Sequence, residues 1–409
     1  MVITMPPEVL DRFLRYVSIN TQSQHEQDPI PSTERQFDLA RLLVKELKEL
    51  GLNDACVDEY CYVTATLPAN SPTLKVVGFI AHMDTSPDAP AENIKPQIVR
   101  NYLGGDIVLP GDPEQIIPAE QLKECIGEDI VTTDGTTLLG ADDKSGVAAI
   151  MTAVSMMIKD ASIKHGTIKI GFTPDEEVGR GVDRFDVEGF GADVAYTLDG
   201  GELGEIEDEN FNAYEANLRI KGYNVHPGYA HGKMINAIRA MGDYISMLPR
   251  DKAPETTKDW EGYVHPILFS GDVGSIRLKI LIRDFTDEGS EKFKKILGDN
   301  AVRLREMYPG AEIDLEIKES YRNMKEQVEK HPEVVENAIK AIEAAGVKPL
   351  RKPIRGGTDG SRLSFMGLPT PNIFAGGINF HSVREFVPVG SMEKAVEVIL
   401  NLVGLYIEE

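Results

Sequence analysis

Cysteine is scarce in this chain of 409 residues: Cys56, Cys61 and Cys125 are the three present. An odd number without C-x-x-C spacing supports neither a disulfide framework nor a thiolate metal site, so free thiols are expected. Positive charge is scarce as well. Lys and Arg total 43 against 66 Asp and Glu, a formal net charge of −23. Phosphate backbones and anionic lipid surfaces are therefore repelled, and neither nucleic acid nor membrane is an expected partner. No run of about 18 uncharged apolar residues is present, and the opening MVITMPPEVLDRFLRYV has no basic stretch leading into an apolar one. A soluble, cytoplasmic protein is the expectation. No internal repeat or low-complexity linker divides the chain, whose length and 42% hydrophobic content suffice for two domains and a large core.

What is present is an alternation of helix and strand. Leu10, Phe13, Leu14 and Val17 recur at helical spacing, and a second helix is expected near Thr33. There Thr33 and Gln36 can form a capping box ahead of Leu39, Leu43, Leu47 and Leu50, and Gly51 is placed to end the helix. The segment LKVVGFIAHMDT (74–85) is an almost continuous apolar run, as expected of a central strand covered on both faces, and it ends in His82 and Asp84. GTIKIGFTPDEE (166–177) and ADVAYTLDGG (192–201) repeat that shape and end in acids. Ahead of both, residues 141–160 carry Val147, Ile150, Met151, Val154 and Ile158 on one helical face, with Asp142 and Asp143 at the entrance. Ligands of open α/β sheets collect beyond the carboxyl ends of the strands. Several segments thus bring acids or histidine to one sheet edge.

From about residue 210 the texture changes. NAYEANLRIKGYNV, GSIRLKILIRDF and AEIDLEIKESY, with helices near 234–247 and 291–307, predict an antiparallel sheet with two helices on one face. The first pattern resumes at about 324, with a helix at 332–345, the glycine-rich IRGGTDGSRLSFMG (354–367), a strand-like 371–381 and a closing helix from Met392. Two domains follow, one discontinuous over 1–209 and 324–409, the other inserted at 210–323.

Carboxylates crowded together repel one another unless a cation intervenes. His82, Asp142, Glu177, Asp199 and His381 offer two imidazoles and three carboxylates, a set suited to a pair of borderline divalent ions such as Zn2+. Singly, each has a bland reading: His82 as a satisfied core histidine, the DEE triplet as a solvated helix start. Together they are more specific.

His82-Met83-Asp84, Ala141-Asp142-Asp143-Lys144, Pro174 to Gly179, Thr197 to Gly201 and Asn379-Phe380-His381 occur in the order and approximate spacing of the dizinc M20 metallopeptidases. The strings HMDTSPD, TTDGTTLLGADDK, FTPDEEVG, NVHPG, IRDF and PIRGGTDGSRLSFMGLPTPN resemble the aminotripeptidase branch of that family, over nearly the whole chain. The resemblance implies a zinc-exopeptidase-like α/β catalytic domain, with a mixed central sheet flanked by helices, plus an inserted α+β lid. It implies two Zn2+ per subunit, with Co2+ or Mn2+ as substitutes. His82 and Asp199 would hold one ion, Glu177 and His381 the other, and Asp142 would bridge, joined to Asp143 by a cis peptide. Asp84 would accept the His82 N–H, and Glu176 would shuttle the proton, leaving Asp175 to a surface or capping role. His226 of NVHPG would stabilise the oxyanion, unless it is an ordinary turn histidine. Arg283 would take the terminal carboxylate of a tripeptide, unless it pairs with Asp284 or a neighbour. Gly357, Thr358, Asp359 and Asn379 would line the substrate. Ile378 and Phe380 depart from the tyrosines of the pattern. A homodimer through the lid is allowed. The implied activity is release of the N-terminal residue from tripeptides; another M20 activity or a silent peptide-binding protein are the alternatives.

Overall fold

In the computed structural model, residues 8–73 and 75–407 are described. Leu74, which opens the first expected strand segment, and the first seven residues of the N-terminal reading lie outside them. The chain forms two compact units. The first runs to Asp208 and adds Glu326–Lys352 and the stretch from Thr358; the second is Glu209–Lys325 with Pro353–Gly357.

An eight-stranded mixed sheet organises the first unit, in the order Cys56–Val57, Val63–Leu67, Ile168–Thr173, Val77–His82, Val194–Gly200, Asn372–Phe374, Glu205–Glu207, Leu350–Arg351. The apolar runs seen in sequence occupy its middle. Val77–His82 is buried at every position and pairs in parallel with Ile168–Thr173 and Val194–Gly200, so its continuous Val/Phe/Ile pattern is what a doubly covered strand requires. The helix Ala141–Lys159 is buried on almost its whole circumference rather than on one face, with Ala148, Ala149, Thr152, Ala153 and Ser155 enclosed too. It packs on the sheet and is covered by the helices Glu8–Val17 and Val389–Gly404, which explains why small residues fill the sides left open by its apolar stripe. Gly146 marks its closest approach: a Cβ there would lie 2.1 Å from the Leu198 carbonyl oxygen.

The capping box expected at Thr33 does not form. The second helix begins at Gln36 without a side-chain cap, because the Thr33 hydroxyl donates to Gln22 O at 2.8 Å and the Gln36 amide to Asp175 Oδ1 at 2.7 Å. A three-stranded sheet, Phe386–Pro388, Ile130–Thr132 and Gln97–Val99, was not foreseen; strands of three residues leave no period to read.

The second unit is a four-stranded antiparallel sheet in the order Tyr263–Gly271, Ser275–Asp284, Asn212–Lys221, Glu312–Tyr321. Alternate residues Tyr214, Ala216, Leu218, Ile220 and Ile276, Leu278, Ile280, Ile282 share one core with the helices Ala237–Ser246 and Asp287–Met307. Its edge strand Tyr263–Gly271 escaped the sequence reading, since Pro266 interrupts it and the register shifts between Pro266 and Leu268. Pro353–Gly357, expected with the catalytic part, groups here: Ile354 bridges Asn210, and the Arg355 guanidinium lies over the rings of Phe211 and Tyr263.

Candidate metal centre

Three neighbouring parallel strands deliver the site at their carboxyl ends. His82 ends its strand opposite Thr173, after which the chain turns through Pro174–Val178, and Asp199 is the penultimate residue of Val194–Gly200. Asp142 enters from the start of the helix Ala141–Lys159, where Gly140 takes φ +81° and Asp142 and Asp143 depart from helical angles across a cis peptide bond.

Asp142 stands between two imidazoles. Its Oδ1 is 2.8 Å from His82 Nε2, and its Oδ2 is 3.4 Å from His381 Nε2. Asp199 Oδ1 lies 3.5 Å from the first nitrogen and Glu177 Oε2 lies 2.8 Å from the second. Glu177 Oε1 is buried without a hydrogen-bond partner. Each ring has its other nitrogen engaged: His82 Nδ1 is 3.1 Å from Asp84 O, and His381 Nδ1 is 3.0 Å from Asp88 Oδ2. Neutral rings donating from Nδ1 would aim bare Nε2 atoms at the acids, the arrangement that ligating histidines use.

The electrostatics point the same way. Burial, together with the repulsion of Asp142, pushes Glu177 up to about 8. Burial works against protonation of His381, yet its bonds to Asp142 and Glu177 raise it to about 12. A divalent cation among these donors would supply the positive charge that such surroundings otherwise draw from protons.

The ligand-bearing backbone is held by neighbouring side chains, of which Asp143 also lies within 4.8 Å of donor atoms of His82 and Asp199. Asp143 Oδ2 accepts the His82 N–H at 3.2 Å, and Asn372 Oδ1 accepts that of Asp199 at 2.9 Å. Asp84 does more than face the His82 ring. Its two oxygens accept the N–H groups of Glu176 at 3.0 Å and Glu177 at 3.3 Å, so it fixes the acidic turn, while the nearest acceptor for His82 Nδ1 is its main-chain oxygen.

Known proteins bear on what such a centre belongs to. The profile of peptidase family M20/M25/M40 matches residues 133–404, most of the chain. This chain belongs to that family. A protein of Clostridium acetobutylicum named "Peptidase T" is 51% identical over 406 residues, spanning 98% of this chain and 100% of its own. Among solved structures, a tripeptidase from Staphylococcus aureus has TM-score 0.78 at 22% identity over 99% of each chain. The Bacillus subtilis YXEP protein, described as a dinuclear metal binding peptidase from the M20 family, has TM-score 0.66 at 13% identity over 98% of this chain and 99% of its own. At those identities the two structures share the fold.

The remaining expected residues of this M20 peptidase fall in different places. Asp175 is not at the surface: it is fully buried at φ +56°, and its carboxylate accepts Ser32 N at 2.6 Å and Gln36 Nε2 at 2.7 Å. It anchors the acidic turn to the start of the helix Gln36–Glu49. Thr358 caps the helix Asp359–Phe365, and the buried Asp359 accepts the Thr173 hydroxyl at 2.7 Å. Asn379, at φ +59°, donates its amide to Gln121 Oε1 and Arg384 O, closing the turn that carries His381. Gly357 belongs to the second unit, where a Cβ would lie 2.9 Å from the Tyr321 ring. In that unit Arg283 does not pair with Asp284. Its Nη1 donates to Tyr214 O at 3.3 Å and Ile282 O at 2.9 Å, and its guanidinium lies over Tyr321. His226 is exposed, accepts the Gly228 N–H at Nδ1 and lies 5.4 Å from the Tyr229 ring. Asn372 and Asp88 were missed. Both act on a ligand's backbone or far nitrogen, and only the HMDTSPD string held a hint, a second acid six residues past the histidine.

Proposed function

We propose that this M20 peptidase releases the N-terminal residue from tripeptides and holds two Zn2+ per chain, with Co2+ or Mn2+ able to stand in. His82 and Asp199 would hold one ion and Glu177 and His381 the other, with Asp142 shared. The observation that carries the reading is Asp142 set between two Nε2 atoms, with a further carboxylate beside each. When bound, such ions lower the pKa of water to about 7 and polarise a carbonyl.

The chain's own groups do the rest. Glu176 shares a turn with Glu177, and its carboxylate makes no hydrogen bond or ion pair among the described residues. Burial, with the repulsion of Asp199 added, pushes its pKa well above the usual carboxylate range. It therefore suits a proton acceptor that takes a proton from the attacking water and returns it to the leaving amine. His226 is assigned to the oxyanion and Arg283 to the terminal carboxylate; Gly357, Thr358, Asp359 and Asn379 keep their assignment to the substrate. A homodimer through the second unit and a cytoplasmic location belong to the same proposal. The similarity to a relative named "Peptidase T" and to a tripeptidase structure supports it.

Hydrolysis of di-, tri- and tetrapeptides, and of an N-acetylated tripeptide, with and without chelator tests the reading. Free tripeptides should lose their first residue, and chelator should stop this. Release of a C-terminal residue or of an acyl group instead would assign another M20 activity, and no metal-dependent turnover at all would leave a binding protein. Arg283→Ala should weaken hydrolysis of a tripeptide far more than that of its amide, which lacks the carboxylate. Equal losses would restrict Arg283 to holding the Tyr214 and Ile282 carbonyls.

A further inference from the structure

Glu385 has no part in the roles above, yet it is 1% exposed and spends its whole carboxylate on one short segment. Oε2 accepts Leu139 N at 2.7 Å and Gly140 N at 2.8 Å, and Oε1 accepts Asp142 N at 3.0 Å. These amides lie where the chain has left no strand or helix partner for them, at the φ +81° of Gly140 and the non-helical angles of Asp142. Buried N–H groups without an acceptor are costly, so Glu385 fixes a segment that regular structure does not.

The same residue stands on the returning arm of the turn that carries His381. Ile378 and Phe386 exchange main-chain bonds of 2.9 and 3.0 Å, and Glu385 N donates to Ser382 O at 3.1 Å. Phe386 then continues into the strand Phe386–Pro388, paired with Ile130–Thr132. His381 lies within that turn at φ +58°. One buried carboxylate thus ties the Asp142 segment to the His381 turn, whose imidazole Nε2 is 3.4 Å from Asp142 Oδ2.

We propose that Glu385 is a positioning residue that sets the spacing between Asp142 and His381, and with it the cation site formed by Asp142, Glu177 and His381. It touches no cation itself, and the inference rests on the two-cation reading above. In Glu385→Gln an amide nitrogen replaces one acceptor and meets N–H groups head-on. Loss of such a supporting contact weakens metal binding roughly 10–100-fold, and the site at His381 should suffer more than the site at His82 and Asp199.

The test titrates metal-free wild type and Glu385→Gln with Zn2+ against a competing chelator, and follows amide hydrogen exchange of both metal-free proteins. The expected result is two cations in wild type, one of them weakened at least tenfold in the variant. Faster exchange at Leu139, Gly140 and Asp142 should accompany it, with unchanged exchange in Val77–His82 and Ile168–Thr173. Two cations bound equally well by both proteins would overturn the inference. Fewer than two in wild type would instead overturn the two-cation reading; the exchange comparison would still decide whether Glu385 holds the segment, since identical exchange at the three amides removes that role. Should Glu385→Gln not fold, Glu385→Asp carries the same comparison, its shorter reach giving a smaller loss in the same direction.

Discussion

Glu176 and Glu177 are adjacent, chemically identical and differently placed. Glu177 faces His381 at 2.8 Å, while the Glu176 carboxylate is without a bonded partner among the described residues. A ligand must give up its lone pairs, whereas a proton shuttle must keep one free, and the turn fixed by Asp84 separates the two tasks. Glu176→Gln should leave cation stoichiometry unchanged and lower kcat by roughly 10²–10⁴-fold; wild-type turnover in that variant would remove the assignment. Glu207 shows a different use of a buried acid. It accepts Asn372 Nδ2 at 2.7 Å, behind the amide oxygen that holds Asp199 N. Burial, then repulsion from Glu205, lifts its pKa from the usual 4.5 to about 8. A carboxyl raised on folding contributes stability that is complete below its unfolded pKa and is lost as pH rises through the folded one. Glu207→Gln keeps an acceptor and does not titrate, so its melting temperature should gain on wild type between pH 5 and pH 8.5. A difference that does not change with pH would show that Glu207 is ionised throughout.

At the scale of elements, the site depends on how closely the helix Ala141–Lys159 seats on the strand Val194–Gly200. Gly146 allows this, since a Cβ there would also lie 2.4 Å from Asp143 Oδ1, and Asp143 is the residue that accepts the His82 N–H. Gly146→Ala should therefore cost about 1–3 kcal/mol, as overpacking does, and should lower cation affinity as well as melting temperature. A stable variant with intact cation binding would mean that the helix can shift without moving Asp143. Those elements were legible in the sequence because burial on both faces writes an unbroken apolar run, and the run ends where His82 and Asp199 begin the site. The five candidate ligands were legible from their order along the chain. Asn372, Asp88 and Glu385 were not. Each acts on groups distant in sequence, Glu385 on amides some 240 residues away, and no local pattern records such a partner. The same blindness explains Asp175, whose partners Ser32 and Gln36 also divert the expected capping box. Short strands and the proline-broken edge Tyr263–Gly271 hid for the simpler reason that they lack a period.

Across the whole molecule, negative charge is widespread, with a formal net of −23, but most of the buried acids among the described residues, Asp84, Asp143 and Asp175 among them, lie in the first unit. His82, Asp142, Glu177, Asp199 and His381 all belong to that unit. A cation bound by the folded ligands and not by the unfolded chain stabilises by mass action, about 2.7 kcal/mol at a concentration one hundred times its Kd. It also offsets the burial and the Asp142 repulsion that raise Glu177, so the gain belongs to the unit whose acids are crowded. Hydrogen exchange reads both units in one sample. Adding chelator should speed exchange in Val77–His82, Ile168–Thr173 and Val194–Gly200, while Asn212–Lys221 and Ser275–Asp284 of the second unit keep their protection. Asp142→Ala, which removes the shared carboxylate, should abolish the response. If the second sheet lost protection to the same extent, the two units would be unfolding as one cooperative body and the cation's contribution would not be local. If neither sheet responded, the five residues would not be holding a cation under those conditions, and the crowding of Asp142, Glu177 and Asp199 would need another source of relief.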